Sequence, residues 1–339
     1  MNYRSKAPLR VSLAGGGSDV SPFSDMFGGA ILNATINQYA HASIEPAEDG
    51  FIHFVQADLG RKEKIVTSEV IHSDPFILHA GVYNRIVKDF THKPLSFKLT
   101  TYVDAPPGSG LGTSSTLVVA ILGAFAEWLK LPLGEYDLAH LAFEIERIDL
   151  GMAGGKQDQY SATFGGVNFM EFFGEDKVIV NPLRIREEYL NELSNNLLLY
   201  NTSTSRVSAK IIEAQQNNVR SGNKNSIDAM HEMKKQALMM KEALLLGKLD
   251  EIGEILNFGW HFKKQMAAEI SNPELDEIYE TAIKNGALGG KISGAGGGGF
   301  MIFYCPGTTR YNVDDALKGF GGNVQPYSFT EKGILTWTL

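Results

Sequence analysis

The sequence has one cysteine, Cys305, so no intrachain disulfide can form and a reducing, cytoplasmic setting is expected. Standing just before Pro306, Cys305 reads as a small apolar residue at a strand end. The eight histidines show no HxxxH pair and no Cys–His ligand spacing, which excludes the usual dedicated zinc sites. Apolar runs stay far below the ~20 residues of a membrane span. Met1–Lys6 is basic but has no apolar stretch behind it, so neither a membrane segment nor a secretory leader is expected. Basic residues number 31 against 39 acidic ones, and a net charge of −8 argues against a nucleic-acid binder. No internal repeat is present, and no lysine follows a glycine loop in the GxxxxGK[ST] spacing, so a Walker A site is excluded. At 339 residues the chain is long enough for two domains.

Glycine is abundant, and it is concentrated in loops. The central one is Pro106–Thr116, between a strand-like run at Leu95–Val103 and a helical pattern at Leu117–Leu129. Gly108, Gly110 and Gly112 let the backbone approach a ligand, and Thr113, Ser114 and Ser115 are suited to capping a helix. Free N–H groups at a helix start, together with the helix dipole, make an anion site. A polyphosphate fits this best, although such loops also occur as plain connectors.

Before this loop, Pro8–Ala14 reads as a strand with Leu9, Val11 and Leu13 on one face and Arg10 and Ser12 on the other. It runs into Gly15-Gly16-Gly17-Ser18-Asp19, where Asp19 suits either a cap or a polyol ligand. Short strands are expected at Ala30–Ile36, Tyr39–Ile44, Phe51–Gln56 and Lys62–Thr67, and a helix over Asp74–Phe90. A second helix, Glu135–Leu150, carries a buried stripe of Leu138, Leu141, Ala142, Ile145 and Ile148. Its Glu144, Glu146 and Arg147 would by default be a solvated face. The loop Gly151–Tyr160 holds Lys156 and Asp158, and strands follow at Val167–Phe172 and Val178–Asn181.

Charged and polar residues from Arg184 to Asn196 suggest a domain boundary at about 185–195. Beyond it come a strand at Leu197–Asn201 and helices at Arg206–Val219, Ser226–Leu246, Leu249–Ile270 and Pro273–Asn285. The methionine stripe of the second of these helices reads as core. Gly289–Gly299 reads as a loop before a strand at Phe300–Tyr304. Gly294, Gly296 and Gly299 match GxGxxG formally, but a strand follows instead of a helix, so a dinucleotide fold is excluded. A helix near Val313–Lys318 and strands near Val324–Ser328 and Gly333–Thr338 close the chain.

Three of these segments together resemble the GHMP family of small-molecule kinases: Ala7–Asp19, Pro106–Ser115 and Lys291–Gly299, in that order. The resemblance covers nearly the whole chain. Within the family it is similar to the branch of D-glycero-D-manno-heptose 7-phosphate kinases and fucokinase-like enzymes. Gly154–Tyr160, Trp260–Lys264 and Ile270–Pro273 add to that likeness. The implied fold is α+β in two domains, a mixed-sheet domain over 1–190 and a ferredoxin-like domain over 191–339, with the active site in the cleft between them.

The resemblance also implies roles. Pro107, Gly108, Ser109, Gly110, Leu111, Gly112, Thr113, Ser114 and Ser115 would wrap the ATP phosphates. Ser114 and Glu146 would hold Mg²⁺, with Thr113, Ser115 and Glu144 as near alternatives. Asp158 would meet the acceptor hydroxyl as base or orienter, beside Arg10; its competing reading is a cap on a Gln157–Thr163 helix. Gly16, Gly17, Ser18 and Asp19, with Gly294, Ala295, Gly296 and Gly297, would contact the sugar. Galactokinases carry an acidic residue and a histidine where Gly16 and Gly17 stand, so galactose is disfavoured. A terminal phosphate on the sugar would need a cation, for which Lys156, Arg206, Lys263 and Lys264 are candidates.

The implied reaction is phosphorylation of the anomeric hydroxyl of heptose 7-phosphate. The rivals are an L-fucose or other hexose kinase, an inactive sugar and ATP sensor, and a diphosphate decarboxylase. Expected partners are a sugar phosphate and ATP, without nucleic acid or membrane, and a homo-oligomer is left open.

Overall fold

The computed structural model describes residues 1–204 and 208–339. Its first sheet begins with β1 (Tyr3–Ala14) and β2 (Gly29–Pro46), joined through the short helix α1 (Phe23–Phe27). β1 and β2 are antiparallel, with Val11 opposite Ala34. The two strands expected at 30–36 and 39–44 are one. A shift of register between Pro8 and Arg10 takes up the break in pattern as a bulge, so the pairing continues. β3 (Phe51–Gln56) and β4 (Arg61–Val66) form a hairpin. After α2 (Ile77–Ile86), β5 (Phe97–Val103) inserts antiparallel to β2 and parallel to β3, which makes the sheet mixed.

Helix α3 (Thr113–Leu129) is buried on every side from Ser115 to Phe125, so it is a core helix and not an amphipathic one. α4 (Glu135–Glu144) does not continue regularly to Leu150. It passes into a π-helical turn at Ile145–Asp149, where the Leu150 N–H donates to the Ile145 carbonyl at 3.0 Å. The wider turn changes the phase of the helix. Ile148, expected in the buried stripe, is 62% exposed, and Glu146 is turned inward at 1%. α5 (Gln157–Phe164) leads to β6 (Val167–Phe172), which pairs with the first half of β2, and to β7 (Val178–Pro182).

The stretch expected to be an irregular boundary contains α6 (Glu187–Asn196), anchored by buried Leu193. The second sheet starts at β8 (Leu197–Asn201). Four helices follow: α7 (Ser208–Arg220), α8 (Lys224–Leu246), α9 (Ile252–Met266) and α10 (Pro273–Lys284). β9 (Gly289–Ile292) and β10 (Phe300–Tyr304) are paired, with Ile292 opposite Met301. Residues 289–292 are therefore strand, not loop. Their glycines permit close packing, since a Cβ on Gly289 would lie 3.0 Å from the Asn257 nitrogen of α9.

α11 (Thr309–Leu317) and the two-residue β11 (Asn323–Val324) complete the order β11-β8-β10-β9, all antiparallel. Read in chain order this is 4-1-3-2 with βαββαβ connections, a ferredoxin-like sheet. The last strand, β12 (Leu335–Thr338), returns to the first sheet beside β1, so a cut at 190/191 does not separate the tail.

Apolar packing also crosses that point. On β8, Leu197 and Leu199 join the core of the first sheet, while Leu198 and Tyr200 face a second core with Trp260 and Met301. Met230, Met233 and Met240 are fully buried core residues. β1 contacts α3 and α5 as well as α8 and α9, so Arg10 and Ser12 are buried along with their apolar neighbours. Among the described residues no helix is long and apolar enough to cross a membrane.

Candidate active site

The central loop turns directly into α3, whose N-cap is Gly112 at φ +80° with no side-chain capping bond. The expected hydroxyl caps are absent, because the helix begins at Thr113 and the three hydroxyl residues lie inside its first turn. The first return bond runs from the Thr116 N–H to the Gly112 carbonyl at 2.9 Å. Among the described residues the N–H groups of Thr113, Ser114 and Ser115 have no acceptor, as in any helix start without a cap. Their positive end faces a cleft of about 420 Å³.

That cleft is walled by Pro107, Gly108, Gly110, Gly112 and Thr113–Ser115 from the loop, and by Arg10, Gly17 and Asp19 from the first motif. Glu146 and Asp158 line it too, and Gly294 and Ala295 come from the second sheet. The other candidates do not line it. Ser109 and Leu111 are inside the packing: the Ser109 carbonyl accepts from the Phe300 N–H at 2.9 Å, and the Leu111 carbonyl accepts from the Arg10 N–H at 3.2 Å. The Ser18 hydroxyl pins the turn to the Gly15 and Ala30 carbonyls at 2.9 Å each. Gly16 offers its carbonyl to Lys263, and Gly296 and Gly297 pack on Ile270.

Two motifs meet backbone to backbone. A Cβ on Gly294 would lie 2.8 Å from the Gly110 Cα, and one on Gly110 would collide with the Ser293 carbonyl. Both glycines have positive φ, +78° and +77° for Gly110 and Gly294. Arg10 bridges the same junction. Its Nε donates to Asp158 Oδ1 at 2.6 Å, its Nη2 forms an ion pair with the same oxygen at 2.6 Å, and its Nη1 donates to the Gly110 carbonyl at 2.5 Å. Asp158 therefore does not cap α5. Asp19 does that from 138 residues away, its Oδ2 accepting from the Lys156 and Gln157 N–H groups at 2.9 and 3.1 Å. Capping of this kind contributes about 0.5–2 kcal/mol. Burial pushes the Asp19 carboxyl up, against the pull of the Gln157 N–H.

Glu146 is the buried carboxylate of the opposite wall. One oxygen accepts from Gln159 Nε2, while Oε1 has no hydrogen-bond partner and lies 3.7 Å from the Arg147 guanidinium. Burial raises its carboxyl, opposed by Arg147 and by hydrogen bonds from Ser115 and Gln159. An orphaned buried carboxylate oxygen beside a phosphate-type loop suits a divalent cation. The described residues hold no cluster of three His, Cys, Asp or Glu side chains, so a cation here would draw its other ligands from phosphate oxygens, hydroxyls and water. Ser114 is exposed on the cleft wall, whereas the Ser115 hydroxyl is the one in contact with Gln159, at 3.2 Å. Glu144 points elsewhere, to Arg85 on the surface.

Of the candidate phosphate cations, Lys156 is tied to Asp176 at 2.7 Å and Asp25 at 3.4 Å, and Lys264 to Asp276 at 3.2 Å. Arg206 lies outside the described residues. Lys263 does line the cleft. Gln215 and Gln159 were not singled out by sequence. Gln215 had a signal, because it interrupts the buried spacing Ile211, Gln215, Val219 on α7. Elsewhere, His79 is packed against Thr101 and its pKa falls to about 3, so it stays neutral. Burial pushes the Cys305 thiol up to about 12.

Loop, orphaned carboxylate and Arg–Asp pair meet in one candidate site of the kind a small-molecule phosphotransferase needs, and the chain belongs to the GHMP kinase family. "GHMP kinases N terminal domain" matches residues 78–166 and "GHMP kinases C terminal" residues 240–322. The particular relatives are sugar kinases. The D-glycero-alpha-D-manno-heptose 7-phosphate kinase of Campylobacter jejuni is 48% identical over 99% of both chains. A crystal structure of a D-glycero-D-manno-heptose 1-phosphate kinase from Bacteroides thetaiotaomicron superposes with a TM-score of 0.84, at 45% identity over 99% of both chains. The L-fucokinase/L-fucose-1-P guanylyltransferase of Bacteroides fragilis is 27% identical over 87% of this chain and 34% of its own.

Proposed function

We infer that the protein is an ATP- and Mg²⁺-dependent sugar kinase. It phosphorylates the anomeric hydroxyl of D-glycero-D-manno-heptose 7-phosphate to the 1,7-bisphosphate, for nucleotide-heptose synthesis. The observation that carries this reading is the convergence of the 108–115 loop, Glu146, Arg10 and Asp158 on one cleft, in a chain similar over its full length to kinases of phosphorylated heptose. Residues 1–190 supply most of the phosphate and metal groups, and residues 191–339 close the cleft through Gly294 and Ala295.

The free N–H groups of the first turn of α3 cradle the triphosphate. A second pocket of about 280 Å³ adjoins them through Pro107, Thr113 and Ser114 and is walled by Leu59, Phe76 and Leu117. It takes the base, whose amino group would satisfy the unpartnered Oδ1 of Asp58. Mg²⁺, held by Glu146 with Ser114 or Ser115, would neutralise charge on the phosphate oxygens. Asp158 orients the anomeric hydroxyl and accepts its proton as the oxygen attacks the γ-phosphorus. The bond from the γ-phosphorus to the bridging oxygen breaks and ADP leaves. Arg10 holds Asp158 in place and adds positive charge near the attacking oxygen. Use of ATP, together with one buried cysteine, supports a cytoplasmic setting.

The test is ADP release with ATP, Mg²⁺ and a panel of acceptors: heptose 7-phosphate, the same heptose without phosphate, L-fucose and galactose. Turnover strongest on heptose 7-phosphate is expected. Preference for fucose would favour the fucokinase reading, and no ADP release with any sugar would favour a sensor.

A further inference from the structure

We propose that Lys263 and Gln215, on the α9 and α7 wall of the cleft, form the subsite that grips the acceptor's own phosphate; this rests on the reading of a phosphorylated acceptor. Both side chains line the cleft, and both are 1% exposed. The Lys263 ammonium donates to one acceptor among the described residues, the Gly16 carbonyl at 3.2 Å. An ammonium has three donors, so two are left. Gln215 Nε2 is buried with no partner among the described residues. Two buried donors aimed into one cavity without acceptors are costly unless a ligand supplies them.

The charge inventory of this wall points the same way. Asp158 is matched by Arg10, and the Asp19 oxygen that caps α5 is already engaged by two N–H groups. Lys263 and the enclosed Lys291, whose Nζ donates to the Ser12 carbonyl at 2.6 Å, form no ion pair among the described residues. Three basic side chains, Arg10, Lys263 and Lys291, thus meet two carboxylates, Asp158 and Asp19, and the Lys263 ammonium acts with Asp19 across a distance without forming an ion pair, which leaves it free to pair with a phosphate. Glycine at positions 16 and 17 places bare backbone beside both side chains: a Cβ on Gly16 would press on Ser12 Oγ at 3.1 Å, 3.6 Å from the Lys263 Nζ, and one on Gly17 would run into Met266 Cε, 3.4 Å from Gln215 Oε1. Lys156 and Lys264, by contrast, already have carboxylate partners.

The experiment compares wild type, Lys263→Met, Lys263→Arg and Gln215→Leu on two acceptors, heptose 7-phosphate and the same heptose without its phosphate. KM and kcat are read from ADP release, and folding from the melting temperature. Lys263→Met should raise KM for the phosphorylated acceptor about 100-fold and leave the unphosphorylated one within about threefold, because a charge-assisted contact to phosphate is lost. Lys263→Arg should recover most of the loss, and Gln215→Leu should show a milder loss with the same selectivity. Equal losses on both acceptors, or no change on either, would overturn the subsite. A wild-type enzyme that does not prefer heptose 7-phosphate would instead overturn the functional reading, before any variant is compared.

Discussion

Replacing Asp158 with asparagine removes one charge and leaves the shape of the side chain. Arg10 is 3% exposed and sets two nitrogens, Nε as hydrogen-bond donor and Nη2 as ion-pair partner, 2.6 Å from a single Asp158 oxygen. An asparagine carbonyl can still accept them, so the geometry survives while the ion pair does not. Breaking a fully buried pair costs about 3–5 kcal/mol. Here the Asp158 side chain is 21% exposed, and Arg10 keeps its bond to the Gly110 carbonyl. The loss should therefore be smaller, roughly 1–3 kcal/mol, seen as a melting temperature lower by several degrees. The chemical step should suffer far more, because a positioned proton acceptor contributes about 10²–10⁴-fold. ADP release should fall by that factor, while affinity for a fluorescent ATP analogue should change by less than about threefold, since Asp158 packs beside Gly112 but, among the described residues, accepts no hydrogen bond from the N–H groups of the α3 start. A variant that keeps more than about a tenth of wild-type turnover would refute the role of Asp158 as proton acceptor.

Gly110→Ala should abolish activity and lower the melting temperature, because a Cβ there meets the Ser293 carbonyl at a residue with φ +78°; an active, stable variant would mean the two motifs do not need to touch. Glu146→Gln should keep the contact with Gln159 yet raise the Mg²⁺ concentration needed for half-maximal rate by about tenfold or more, read by Mg²⁺ titration at fixed ATP. Burial lowers the Lys263 pKa to about 8, with Asp19 opposing that shift and Arg10 adding to it. Because the protonated form binds phosphate, kcat/KM for heptose 7-phosphate should fall as pH rises through about 8, and the limb should be absent for the unphosphorylated sugar. The folded pKa lies below the ordinary 10.5, so the buried charge destabilises the fold fully below pH 8, and that cost is relieved between about 8 and 10.5.

Much of this site was legible because it is built from backbone. Glycines at 110, 112 and 294 mark places where main chains or side chains come too close for a Cβ, and such positions stand out in a sequence. Arg10 and Asp158 were legible through the resemblance alone, since nothing in the alternation of β1 says that its polar face is buried. What was hidden depends on phase and on long-range partners. The π turn at Ile145–Asp149 exchanged Ile148 for Glu146 on the inner face, and regular 3.6-residue counting misses that. Asp19 reads locally as a cap for its own turn, yet it caps a helix far along the chain. β12 returns to β1 after the second sheet is complete, and strand propensity carries no information on which sheet a strand joins. Among the lysines, only their three-dimensional neighbours separate Lys263 from Lys156 and Lys264.

The central claim is a phosphoryl transfer from ATP to the anomeric oxygen of a sugar that already carries a phosphate. Phosphorus NMR of the product formed from heptose 7-phosphate tests it most directly. The account predicts a second phosphate resonance coupled to the anomeric proton, appearing in step with ADP. A new phosphate on any other carbon, or ADP formed without a bisphosphate, would contradict it.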